Sequence, residues 1–181
     1  RIEGVGLDLL ADQFVAQMAD KPFATPTHSS QINSALTRIT WITRHRVDPA
    51  RKLLGKLLAG APVTGLSATI KMAPAVGDPL GQLAAQWLEE NVLDPKQARQ
   101  LEQELPHKSV ALRELAVAIT KESLLDREEL TDEQKASLLN NLGIRLADLG
   151  KRVPALEATQ EAVNLHRTLA ETEPDAFIPD L

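Results

Sequence analysis

Residues 131–174 read TDEQKASLLNNLGIRLADLGKRVPALEATQEAVNLHRTLAETEP, and they decide the fold. Two runs with apolar residues at helical spacing flank the short link Leu149-Gly150-Lys151. Gly after such a run is a helix stop, so the stretch predicts two helices folded back on one another. Small residues fall where the two must touch: Gly143 on the first helix, and Ala155, Ala158 and Ala162 on the second. Larger side chains there would hold the backbones apart. Those four positions therefore read as structural. A hairpin of this kind completes its core by stacking on neighbouring helices.

Working outward, Val110-Ala111-Leu112 through Ala118-Ile119 and Leu125 can be laid on Pro154-Ala155-Leu156 through Ala162-Val163 and Leu169 at a constant offset of 44 residues. This predicts a half unit before the complete hairpin. Upstream the chain is more broken. Helices are expected over residues 7–18, 29–45 and from Asp48-Pro49 to Gly60. A weaker one spans 63–76 and should kink or end early at Pro74. Two more follow Gly77-Asp78-Pro79 and Asp94-Pro95, the last closed by Pro106. Asp-Pro recurs at 48, 78 and 94 as a start signal, Asp capping and Pro fitting the first turn. No two adjacent runs alternate with period two, so a sheet is not expected. The reading is an irregular helical domain over 1–106 and helical repeats over 107–181.

Composition bounds the function. Leu and Ala dominate the apolar residues, Tyr is absent, and only two Trp and three Phe are present, which favours helices over strands. The absence of Cys excludes disulfides, thiolate metal sites and a cysteine nucleophile, and fits a reducing cytoplasm. A net charge of -5 argues against bulk nucleic-acid binding. No apolar run approaches the roughly 18 residues of a membrane span. The start at Arg1-Ile2-Glu3-Gly4 does not read as a signal peptide, and the close at Pro179-Asp180-Leu181 reads as the beginning of another element. The expectation is a piece of a longer chain.

Leu139, Leu142-Gly143, Leu146, Ala155 and Ala162 stand where a tetratricopeptide repeat carries its bulky, Leu-Gly and Ala positions, and the stretch 131–170 resembles that repeat. It departs in having Leu at the usual Trp/Tyr positions, Thr159 at the late aromatic position, and the closing Pro displaced to Pro174. The 44-residue period and long second helix look more like the extended repeats of kinesin light chains and their bacterial relatives. Further upstream, Leu9-Leu10-Ala11-Asp12-Gln13, Gly77-Asp78-Pro79-Leu80-Gly81 and residues 105–116 look like the helical segment between nucleotide-binding module and repeats in bacterial signalling ATPases of the STAND class. The resemblance implies a right-handed helical array, an α-solenoid of about nine antiparallel helices. It also implies a groove, lined by the first helix of the hairpin, in which Ser137, Asn140, Ile144 and Asp148 face a protein or peptide partner. Asn140 and Asp148 are candidates to hydrogen-bond a peptide.

The motifs of bond chemistry are missing or incomplete. No GxxxxGK[ST] occurs, so no P-loop is present. Gly4-Val5-Gly6 lacks the third Gly of a dinucleotide loop. Gly65-Leu66-Ser67-Ala68-Thr69 holds a Ser but lacks the closing Gly of a nucleophile elbow. His28, His45, His107 and His166 are scattered, none with a second ligand at helical spacing. Glu89-Glu90 and Glu128-Glu129 read as solvated helix ends. One charged region stands out: Arg38, Arg44, His45, Arg46, Arg51, Lys52 and Lys56, against Asp48 alone. It is a candidate docking patch, with an acidic protein surface favoured over nucleic acid because only Trp41 is available for stacking; a plain solvated face is the competing reading.

These readings converge on an all-α protein without catalytic, cofactor or metal residues. The expected function is that of a non-catalytic interaction and coupling module of a larger bacterial signalling protein. The alternative is a self-contained adaptor or chaperone-like peptide binder. Expected partners are a protein or peptide, or neighbouring domains of the same chain. Exposed repeat ends, with Phe177 and Ile178 beyond the last full hairpin, add the prospect of self-association.

Overall fold

In the computed structural model, the described residues are 29–43, 46–76 and 79–172. They form eight α-helices, one short 3-10 turn and no strand. The helix expected over 7–18 lies outside them, as do Arg44, His45, Gly77 and Asp78. The helices are α1 (Ser29–Thr43), α2 (Val47–Gly60), α3 (Pro62–Val76), α4 (Leu80–Glu90), α5 (Pro95–Glu102), α6 (Arg113–Ser123), α7 (Asp132–Asp148) and α8 (Arg152–Thr172), with the 3-10 turn at Arg127–Glu129. Most neighbours in sequence pack on one another, and α6 also packs on α4. The molecule is an all-α array.

Local chemistry explains most boundaries. Asp94 caps α5 as expected, accepting from the backbone N–H groups of Lys96 at 3.0 Å and Gln97 at 3.1 Å, with Pro95 in the first turn. Asp48 does not cap. Helix α2 begins one residue earlier at Val47, so Asp48 falls inside the first turn, where its charge faces the positive end of the helix dipole. Pro74 does not end α3 early; it sits in the last turn, where one lost backbone hydrogen bond is tolerated, and the helix runs two residues further. Thr131 and Gln134 close a capping box at the start of α7. At the far end Gly150 takes φ +72°, while Lys151 N–H reaches Leu146 O (2.9 Å) and Gly150 N–H reaches Ala147 O (2.8 Å). That Schellman turn needs a residue without a Cβ penalty in the left-handed region.

Two apolar cores result. The first gathers Leu36, Ile39, Leu54, Leu57, Leu58, Leu66, Leu80 and Leu101 from α1–α5, with Leu112, Leu115 and Ile119 from the start and body of α6. The second holds Leu139, Leu142 and Leu146 of α7 against Ala155, Ala158 and Ala162 of α8, with Val117 and Leu124 from around α6. Helix α6 thus serves both cores. Thr120 and Ser123, also buried on α6, each satisfy their hydroxyl by bonding back to a carbonyl one turn earlier. The two segments related by the 44-residue offset form helices of 11 and 21 residues. Val110 precedes α6 in a turn and Leu125 follows it, both exposed.

Close backbone approach fixes the hairpin. A Cβ on Gly143 would lie 2.3 Å from Thr159 Oγ1 and 3.2 Å from Ala155 O. An equivalent contact that the sequence pattern did not reveal occurs at Gly81, whose Cβ would fall 2.2 Å from Ala111 O. That contact seats α4 against the turn leading into α6.

Candidate functional site

Helix α5, the loop 103–107 after it, and one stripe of α7 enclose a cleft of about 490 Å³. Residues 134, 137, 138, 141, 144 and 145 share that stripe because three- and four-residue steps stay on one side of a helix. Leu105, Leu130, Leu138 and Ile144 give the cleft an apolar part. Gln103, His107, Gln134, Ser137 and Asn141 give it a polar part. Ile144 is 51% exposed.

The floor is an ion pair with little access to water. Arg145 Nη1 donates to both oxygens of Glu102, at 2.5 and 2.7 Å, and to Thr120 Oγ1. The side chains are 16% and 9% exposed. Thr120 in turn offers its proton to Glu102 Oε2 (2.9 Å) or to Ala116 O (2.7 Å). Asn141 Nδ2 stands at 3.5 Å from Glu102 Oε1. One carboxylate on α5 therefore collects donors from α6 and α7, tying three helices together at the base of the cleft. Such a pair adds modest net stability, yet removing one partner strands a desolvated charge. Among the described residues only Nη1 of Arg145 finds a protein acceptor; Nη2 and Nε remain for an occupant. Glu102, the cleft's one lining carboxylate, already has both oxygens engaged. Arg99, on the same wall, is held by Ser123 O and Glu129, each at 3.3 Å.

The structure places the four expected groove residues in two groups. Ser137 and Ile144 line the cleft. Asn140 and Asp148 are exposed but outside its lining: Asn140 on the flank of the stripe, Asp148 a turn beyond its end. Asn141 and Arg145 occupy the wall instead. They were not singled out because helical period alone does not say where the neighbouring helix sits. Of the basic residues, Arg38, Arg46, Arg51 and Lys52 are all exposed on α1, α2 and the link between them, and Arg44 lies outside the described residues.

A second polar cluster joins α3 to the end of α5. Ser67 Oγ donates to Glu104 Oε2 at 2.6 Å, while Lys71 Nζ lies 3.0 Å from both Ser67 Oγ and Glu104 Oε2. The Ser67 hydrogen bond, aided by Lys71 and opposed by desolvation, holds the Glu104 carboxyl below the usual carboxylate range. Ser67 beside a lysine invites a nucleophile reading. The geometry argues otherwise: Lys71 is largely exposed and engaged with Glu104, and Ser67 sits mid-helix, where backbone N–H groups are already used. The cluster reads as a tie between helices. Among the described residues no three His, Cys, Asp or Glu converge as metal ligands, and no helix is long and apolar enough to cross a membrane.

Comparison with known proteins gives no family: no family model, no curated protein and no solved structure matches this chain.

Proposed function

We propose that the chain is a non-catalytic protein–protein interaction and coupling module of the tetratricopeptide kind, working in the cytoplasm as part of a larger bacterial signalling protein. The observation that carries this reading is the α5–α7 cleft. Its volume is in the range that ligand sites use, much of its wall is helical, and it combines apolar side chains with unspent donors. A polypeptide segment offers the matching chemistry, with backbone carbonyls for Arg145, Asn141 and Ser137, and an apolar side chain for Ile144 and Leu138. The coupling part rests on position. Arg145 belongs to the helix of the second core and Glu102 to a helix of the first, so an occupant touches both. The tight hairpin at Gly143 and the turn at Gly150 support the repeat-like reading of α7–α8. A free-standing adaptor would use the same cleft and differ only in what flanks it.

The test is a random-peptide selection on the intact chain, with clones counter-screened on Ile144→Asp. The expected result is enriched peptides of about micromolar affinity that the variant no longer binds. No enrichment, or peptides indifferent to the variant, overturns the assignment.

A further inference from the structure

Residues 29–76 carry seven Lys or Arg and a single acidic residue, Asp48. That is six net positive charges in a chain whose total is -5, leaving eleven net negative charges on the rest. The cations also differ in how they are used. Lys71, on α3, pairs with Glu104, as Lys96, Arg99, Arg127, Lys135 and Arg145 pair with carboxylates elsewhere. On α1 and α2, Arg38, Arg51 and Lys52 are exposed and make no ion pair or hydrogen bond with any described residue. Concentrated charge of one sign repels itself and draws an opposite partner. Apolar surface accompanies it. Trp41, 50% exposed, stands three residues from Arg38 on the solvent side of α1, and Val47 is 46% exposed at the start of α2. Trp and Arg together are the residue types that dominate binding energy at protein interfaces.

We propose that the α1–α2 end of the molecule is a second docking surface, separate from the α5–α7 cleft, for an acidic polypeptide segment carrying an apolar side chain. The carboxylates meet Arg38, Arg51 and Lys52, and the apolar group meets Trp41. Two facts favour polypeptide over nucleic acid. A single aromatic gives no platform for successive bases. A long polyanion extending past the basic end also meets residues 79–172, whose net charge is -5, whereas a short acidic segment does not.

The experiment titrates the intact chain with a dye-labelled helical peptide of Glu, Leu and Ala, about 20 residues long, at about 0.15 M salt, where surface charges are screened beyond roughly 8 Å. An all-Glu peptide and a DNA duplex of similar length are run beside it. The Glu/Leu/Ala peptide is expected to bind more tightly than either. The triple variant Arg38→Glu, Arg51→Glu, Lys52→Glu, checked for native helicity by circular dichroism, should weaken it at least about tenfold, and Trp41→Ala several-fold. Tighter binding of the duplex would assign the surface to nucleic acid and overturn the proposal. So would peptide binding that the triple variant leaves intact, or no binding by the native chain.

Discussion

Gly143 shows what a single residue decides here. Its missing side chain lets α8 approach until Thr159 Oγ1 and Ala155 O occupy the space a Cβ would take. Thr159 is pinned there by its own bond to Ala155 O at 2.9 Å, so it cannot swing aside without losing that bond. Gly143→Ala should therefore destabilise the protein by about 1 kcal/mol in urea denaturation, the overpacking cost outweighing the helix-propensity gain. In a Thr159→Ala background the same change should become neutral or stabilising, because the obstructing hydroxyl is gone. A loss of equal size in both backgrounds would mean that something other than Thr159 sets the limit. The small residues of the hairpin were legible because helical spacing puts them on the facing sides. Gly81 was not, since its obstacle, Ala111 O, lies 30 residues away across a turn with no periodicity to announce it.

At the scale of elements, starts and stops were readable where the chemistry is local. Asp94-Pro95 and Gly150 gave a cap and a turn directly, while Asp48 missed the cap by two residues because the helix already begins at Val47, with Arg46 at the cap. Ties between elements were not readable, and the Ser67–Lys71–Glu104 cluster is the clearest instance. The Glu104 carboxyl is held below its ordinary range, so in the window beneath about pH 4.3 the unfolded chain binds more protons than the folded one. The stabilisation is fully present above that window and is lost as pH falls through the lowered folded value. Melting temperatures measured down through this acid range should fall less steeply for Glu104→Gln than for the native chain. The difference should be small, because the pair is partly solvated. Parallel curves would show that the tie is not maintained in solution.

At the scale of the whole molecule, the described residues form two cores that share α6 and are clasped by Glu102, Thr120 and Arg145. An all-α array was legible from composition and period. The ion pair between α5 and α7 was not, because residues 102 and 145 are brought together by the tertiary fold and by no sequence pattern. Ser137 and Ile144 could be placed on the outward stripe of α7, but the wall that turns this stripe into a cleft could not. Arg145→Leu alone should cost about 3 kcal/mol, by leaving Glu102 desolvated and unpaired. The double variant Glu102→Leu, Arg145→Leu should recover much of that loss in chemical denaturation; additive losses would contradict the clasp. The account stands most on the claim that a polypeptide segment occupies the cleft. Its most direct test is amide hydrogen exchange of the intact chain with and without a peptide selected against it. Slowed exchange confined to residues 99–107 and 130–145 is the predicted result. Protection elsewhere, such as on the outer face of α8, with those two segments unchanged, would contradict it.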